Sequence, residues 1–369
     1  MRIAMVGCRG IPARWGGIER VVEDVTRELC SRGHEVIVYG RGGYVVPGQA
    51  PSAGKVIITP GLGGKHFDTI SHTFTAMLDV CRRKVDVVHV HSPGPALTSM
   101  LPVAAGVPVV FTVHAPDWRR DKWNMPAKAM IRSGLRCGMK FASAYTAVSE
   151  PLASELSQRF GKEVEFVPNG VRPAPKCTTS FISGLKLPPG RYALFVGRVA
   201  PEKRLDLLIR AWADVTVNMP LIVAAELTND KYCRDCCKLA RNKNIRFIGG
   251  VYGDDLSELY ANTAIVIQPS VLEGMSLVLL EAASHGKCII CTDIDENVAL
   301  LGDSGVYFNV DNAAQLSQVV SRCLEDEALR GQMGDRALSR AESFTVEKAA
   351  EAYESIYLRL GELAGTSRQ

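Results

Sequence analysis

Short apolar runs alternate with amphipathic stretches along this chain. Residues 3–6 are apolar and lead into Gly7, residues 19–29 place apolar side chains at helical spacing, and residues 36–39 are apolar again. That succession predicts strand, helix, strand. It recurs with apolar runs at 85–90, 109–113, 145–148 and 164–167, separated by helical or turn-rich sequence. Runs that stay apolar, instead of alternating, belong to strands buried on both faces. The pattern therefore predicts an α/β fold whose parallel sheets are covered by helices. Pro173, Pro175, Pro188 and Pro189 interrupt it across residues 173–190. A second series starts at 192–196, continues through a helix at 205–212, and adds apolar runs at 221–225, 246–248, 264–267 and 288–291. This divides the chain into a first domain, 1–172, a linker, 173–190, and a second domain, 191–344. The amphipathic tail, 345–364, is expected to pack back on the first domain. Open α/β sheets bind ligands outside the carboxyl ends of their strands, so a cleft between two such sheets is the expected place for chemistry.

Composition narrows the function classes. The 369 residues are 47% hydrophobic and 22% charged, enough to bury sizeable cores. Lys and Arg number 43 against 39 Asp and Glu, and this net +4, spread along the chain without an arginine-rich tail, argues against a nucleic-acid partner. Eleven cysteines, an odd number scattered through apolar segments as at Cys30, Cys288 and Cys291, suit a reducing cytoplasm. The first eight residues lack the pattern of a signal peptide. No apolar run approaches the ~20 residues of a membrane span, the run 103–113 being broken by Pro108. A cytoplasmic protein is expected, and any membrane contact is peripheral.

Four segments look like chemistry. Gly7 through Glu19, with Gly16-Gly17 opening a helix, is a glycine-rich turn after the first strand, suited to phosphate at a helix start and equally to a plain tight turn. Gly197-Arg198 through Glu202-Lys203 brackets a turn with two cations that can neutralise a diphosphate leaving group; a solvated surface turn is the alternative. Pro269 through Leu277, with Gly274, Met275 and Ser276, carries Glu273 ahead of an apolar helix and Glu281 within it. Such acids need partners, either ligand hydroxyls or a structural cation. His114 closes the run 109–113, where a His binds a hydroxyl or phosphate or is merely structural. His89 and His91 alternate and share a face, Cys233, Cys236 and Cys237 cluster, and Asp293 and Asp295 pair, but none completes a ligand set, so no metal site is expected. Lys128, Arg132, Arg136 and Lys140 recur every four residues near Trp118 and Trp123, a pattern that fits an anionic membrane surface or a solvated helix face alike.

In order and spacing, Gly16-Gly17, His114, Pro168-Asn169-Gly170, Gly197-Arg198 to Glu202-Lys203, and Glu273 with Glu281 at a seven-residue gap resemble glycosyltransferase family 4, the retaining enzymes of the GT-B fold. The resemblance covers nearly the whole chain. A narrower one, to rhamnosyltransferase-like members, rests on Arg9 through Gly17, on Gly64-Lys65-His66-Phe67-Asp68-Thr69, and on Asp117 through Trp123, where Asp117 replaces a common Glu. The resemblance implies two Rossmann-like domains facing a central cleft, with donor nucleotide bound mainly by the second, acceptor by the first, and the C-terminal helix crossing back.

Carried over, Arg198 and Lys203 hold the donor diphosphate with the amides of Gly17 and Met275, while Gly16, Gly197, Gly274 and Ser276 complete the donor loops. Glu281 binds the ribose, and Glu273 and His114 position the sugar. Arg14, Trp15, Asp117, Trp118, Lys122 and Trp123 are expected on the acceptor side. Two cations take the place of a divalent metal, and no cofactor is expected. The donor is a nucleotide sugar on UDP, GDP or dTDP, carrying a hexose or deoxyhexose. The acceptor is a saccharide, free or lipid-linked, in surface polysaccharide assembly. A nucleotide-sugar epimerase on the same fold and a non-catalytic sugar-nucleotide scaffold are the rival readings.

Overall fold

The computed structural model describes residues 1–46, 48–62, 67–120, 123–176, 178–241 and 243–366. They form two compact units, Met1–Gly170 joined by the C-terminal helix Val346–Thr366, and Val171–Thr345. The first unit holds β1 (Arg2–Val6), β2 (Glu35–Arg41), β3 (Lys55–Thr59), β4 (Val87–His91), β5 (Val109–Val113), β6 (Ala144–Ala147) and β7 (Glu165–Phe166), in the order β3-β2-β1-β4-β5-β6-β7. The second holds β8 (Ala193–Val196), β9 (Leu221–Ala224), β10 (Ile245–Gly249), β11 (Ile265–Gln268), β12 (Cys288–Thr292) and β13 (Gly305–Phe308), in the order β10-β9-β8-β11-β12-β13. Every pairing is parallel. Each unit is thus the α/β, Rossmann-like parallel sheet expected of its apolar runs.

Burial follows the pattern that predicted the strands. All residues of β4, β5, β8, β9, β11 and β12 are buried, as continuous apolar strands between two helical layers must be. The two strands absent from the sequence reading, β3 and β13, are both edge strands, mostly half-buried or exposed, with apolar runs of only three residues, 56–58 and 306–308. The stretch 173–190 is also more than a linker. Its helix Ser180–Gly184 buries Ile182, whose N–H donates to Glu258 Oε1 at 2.8 Å, while the Thr178 hydroxyl donates to Glu258 Oε2 at 2.7 Å. One carboxylate thereby fastens this segment to the second unit.

The C-terminal helix completes the first unit. It packs on helix Gly17–Ser31 and buries Tyr353 and Tyr357, while Glu354 accepts from Arg32 at 2.9 Å and pairs with His34 Nε2 at 2.7 Å. Helix Met125–Phe141 approaches unusually closely. A methyl on Gly134 would strike the Pro93 carbonyl, and one on Gly138 would lie 2.5 Å from the Phe111 ring.

Gly134→Ala is therefore expected to destabilise the protein by about 1–3 kcal/mol through overpacking. Gly331→Ala, in helix Glu327–Ala341 with open space around it, is expected to stabilise by about 0.5–1 kcal/mol through helix propensity. Thermal and urea unfolding of the two variants beside the parent checks the opposite signs.

Candidate functional site

Both sheets change direction of winding at their first strand. The chain moves outward from β1 to β3 and returns to pair β4 with β1; likewise it moves from β8 to β10 and returns to pair β11 with β8. Such switch points open a crevice at the carboxyl ends of the two central strands. The loops singled out from sequence leave those very strands.

In the second unit the loop after β8 carries Gly197, Arg198 and Lys203, and the loop after β11 carries Glu273, Gly274 and Met275. Gly197 has a φ of +143°, a conformation that side chains disfavour, and open space beside it. A 3-10 turn, Pro201–Lys203, follows, and Arg204 then takes a left-handed backbone to start helix Leu205–Ala211. The loops are tied together twice. The Val271 N–H donates to the Glu202 carbonyl at 3.0 Å, and Lys203 Nζ donates to Glu273 Oε1 at 2.5 Å. Glu273 is only 8% exposed. Burial alone would raise its pKa, but the Lys203 ammonium, with hydrogen bonds from Ser270 and Gln268, outweighs burial and holds the carboxyl below its usual range.

The other residues expected on the donor side lie on these two loops and on the helix that follows the second. Arg198 is more than half exposed, with one nitrogen 3.2 Å from Glu202 Oε1, so it stands over the loop. Met275 is buried, and Ser276 caps helix Leu277–Ser284 by accepting from the Leu279 N–H. Glu281 lies half-buried on that helix. The Thr292 hydroxyl at the end of β12 donates to the Ser270 carbonyl, and Asn297 Nδ2 donates to the Thr292 carbonyl at 3.0 Å, a brace behind the β11 loop.

In the first unit Gly16 and Gly17 are exposed at the start of helix Gly17–Ser31. Gly16 has a φ of +103°, and a side chain there would strike the Glu19 carboxylate. Glu19 is buried and accepts from the Arg9 N–H at 2.9 Å, while Glu23 accepts from the Ala13 N–H at 3.0 Å. The two acids, four residues apart, pin the loop from behind. On the loop, Arg14 lies over the Trp15 ring at 4.9 Å, and the Tyr44 hydroxyl accepts from both their N–H groups and donates to the Trp15 carbonyl.

His114 is buried, and its Nε2 lies 2.9 Å from His91 Nδ1. The His91 ring in turn sits 4.0 Å from that of His89. His89 bonds on one side to the Tyr357 hydroxyl and on the other to the Thr112 hydroxyl, each at 2.6 Å. Burial lowers the pKa of His114 to about 4 and, with the neighbouring imidazoles, lowers those of His89 and His91 well below the ordinary range. The three rings are therefore neutral at pH 7, and His114 is held by a row of imidazoles that sequence reading placed on one face without linking it to His114.

The remaining residues expected on the acceptor side scatter. Asp117 is 2.9 Å from the Arg120 guanidinium. Trp118 is 5% exposed and belongs to the core of the first unit, with Trp123 packed against that core. Neither ring forms the exposed aromatic flank expected of them, since Trp118 is buried and Trp123 half-buried against the core. Lys122 lies outside the described residues, as do Asp121 and the motif positions Gly64, Lys65 and His66. Cys233 and Cys236 are buried in the core of the second unit. Among the described residues no helix is long and apolar enough to cross a membrane.

Comparison with known proteins places these loops in a family. The model for "Glycosyltransferase Family 4" matches residues 15–174, and that for "Glycosyl transferases group 1" matches residues 180–340. The phosphatidyl-myo-inositol mannosyltransferase of Mycolicibacterium smegmatis is 25% identical over 342 residues, covering 89% of this chain and 86% of its own. HepE of Anabaena, in complex with UDP and glucose, superposes with a TM-score of 0.80 at 18% identity, covering 96% of this chain and 99% of its own. Sucrose-phosphate synthase of Thermosynechococcus elongatus gives a TM-score of 0.78 at 17% identity, with 97% and 98% covered.

Two predictions follow from the site's electrostatics. Lys203→Met strands a buried carboxylate and is expected to cost about 3–5 kcal/mol in urea unfolding, much of it restored by adding Glu273→Gln. The imidazole row gives a pH signature. The unfolded chain binds protons near pH 6.5 that the folded rings bind only near pH 4 or below. Stability is thus fully present above about pH 6.5 and falls as pH drops toward 4, by on the order of 3 kcal/mol for His114 alone. His114→Phe should flatten that slope, and an unchanged slope would count against a buried neutral imidazole.

Proposed function

The chain belongs to glycosyltransferase family 4, and from that premise we propose that this glycosyltransferase moves a hexose or deoxyhexose from a nucleotide-sugar donor to a saccharide acceptor with retention of anomeric configuration. The observation that carries the reading is the Lys203–Glu273 pair, joining the loops after β8 and β11 at the switch point of the second sheet, with Arg198 standing exposed beside it. Lys203 and Arg198 then lie against the donor diphosphate. Their positive charge stabilises the nucleoside diphosphate as the bond from its terminal oxygen to the anomeric carbon breaks. The acceptor hydroxyl attacks the same face, its oxygen forms the new bond to that carbon, and its proton passes to the departing phosphate. Glu281 takes the ribose hydroxyls, Glu273 the sugar, and the neutral His114 offers a hydrogen bond to the sugar without adding charge. The amides of Gly16, Gly17, Gly274 and Met275 add donors to phosphate oxygens, and Ser276 holds the last of these in place through its helix cap. Two side-chain cations perform the neutralisation for which other transferases use a divalent ion.

Relatives named for mannosyl transfer and a structural neighbour complexed with UDP and glucose support a hexose as the sugar and UDP as the first nucleotide to try. A lipid-linked acceptor at an anionic membrane surface is the fuller form of the proposal.

Titration calorimetry of UDP-, GDP-, dTDP- and ADP-sugars in EDTA tests the donor site. One nucleotide series is expected to bind, and Arg198→Ala to weaken it at least tenfold while leaving unfolding midpoints near the parent's, because Arg198 is exposed. Turnover with an acceptor should fall by about 10²–10³ in the same variant. If no nucleotide binds, or Arg198→Ala binds equally well, the donor-site assignment is wrong and the scaffold reading replaces it.

A further inference from the structure

Helix Met125–Phe141 contains no acidic residue, although it carries Lys128, Arg132, Arg136 and Lys140 at successive four-residue steps. Like charges so spaced on a helix repel one another. Arg132 and Arg136 are exposed, and among the described residues neither has a carboxylate partner. The opposite side of the helix cannot shift to relieve them, since Gly134 and Gly138 bring its backbone against Pro93 and Phe111.

Lys128, Arg132 and Arg136 line one side of a concavity of about 630 Å³. Trp118 and Arg119, just beyond the end of β5, form its upper end, and Glu155 and Arg159 of helix Glu150–Phe160 form the facing wall. Arg119 is anchored on Glu155 at 2.7 Å, and the Arg159 guanidinium is seated near the faces of Trp118, at 5.7 Å, and Phe160, at 5.3 Å. Among the described residues that line it, five are cations and one is a carboxylate, and Arg132 and Arg136 carry the excess of positive charge that no carboxylate meets. Charge of one sign, concentrated by three elements and held on a rigid backbone, is complementary to clustered anionic oxygens. Guanidinium groups match phosphate in particular, because they bind it through paired N–H groups.

We propose that this concavity binds a diphosphate or closely spaced phosphate groups. The site lies wholly on the first unit and is additional to the donor diphosphate position in the second. It goes beyond the transfer reaction, which does not itself require it. Two sources can present this chemistry: a soluble phosphorylated compound, or the phosphate headgroups of a membrane.

The test compares the full chain with the double variant Arg132→Gln/Arg136→Gln, and with Arg159→Gln. In the soluble arm, inorganic pyrophosphate is titrated by calorimetry. If the donor site also takes pyrophosphate, the parent binds two equivalents and the double variant one; if the donor assignment is wrong, the counts are one and none. Loss of one equivalent supports the site in either case, so its failure and that of the donor reading are separable. In the membrane arm, sedimentation with vesicles of phosphatidylcholine, with and without 30% phosphatidylglycerol on the order used to model anionic surfaces, reports the headgroup source. Binding that needs the anionic lipid, weakens steeply with salt and drops at least tenfold in the double variant supports the site with a lipid source. Circular dichroism and unfolding midpoints confirm that the variants fold, and removing repelling charges should leave stability equal or higher. Equal pyrophosphate stoichiometry together with equal vesicle binding in parent and variants would overturn the proposal.

Discussion

In a parallel sheet every strand ends at the same edge, so every connection from a strand to the next helix collects there. Both sheets of this protein obey that constraint, and in each the winding reverses beside the first strand. Two loops are thereby parted at the reversal instead of being bridged by a helix, and the loops leaving the carboxyl ends of β8 and β11, like those leaving β1 and β4, become places where backbone N–H groups and side chains converge. Glycine-rich, charged sequence at these four ends has a geometric reason before it has a chemical one. Gly7 illustrates this: the chain passes so close to the His91 carbonyl that a side chain there would collide with it.

Charge then distinguishes the two edges. The second unit buries an ion pair at its reversal, and the Glu273 carboxylate stays ionised because Lys203 and two neutral donors compensate its lost hydration. Lys203 consequently has a fixed position, which a flexible ammonium in water would not. The first unit uses neutral groups instead. Its imidazoles are linked by hydrogen bonds and ring contacts, and burial keeps them uncharged. The second unit's edge thus presents cations, and the first unit's a neutral donor or acceptor.

Much of this was legible in the chain. The apolar runs identified eleven of the thirteen strands, the central ones most plainly because they have no wet face to encode, and also the edge strands β7 and β10; the missing two, β3 and β13, are edge strands with apolar runs of three residues. Gly197, Lys203, Glu273 and His114 drew attention because glycine and polar residues just beyond apolar runs suit a ligand, yet each also had a structural reading, and Glu273 does meet a cation of its own chain in Lys203. The supports were harder to read. Glu19 and Glu23 look like ordinary solvated helix residues until the loop before them folds back, and Glu258 gives no sign that it will tie down residues 178 and 182. Trp118 and Trp123 illustrate the reverse error. An aromatic beside basic residues suggests a surface, but the turn after β5 directs both rings inward. Pairings between distant segments carry no local periodicity, so periodicity cannot reveal them.

The position of Tyr357 gives the fold an order in time. Its hydroxyl meets His89, the innermost imidazole of the row that reaches His114, yet 268 residues separate the two in the chain. Synthesis from the amino end delivers the seven strands of the first sheet early, then the whole of the second unit, and only afterwards the helix that closes over His89. Throughout that interval the first sheet has its strands but lacks the phenol that satisfies its buried histidine. The second unit, contiguous in sequence from Val171 to Thr345, waits for nothing. The nascent chain can therefore finish its second unit before its first, and a helix made after that unit completes the support beneath a residue made more than two hundred positions before.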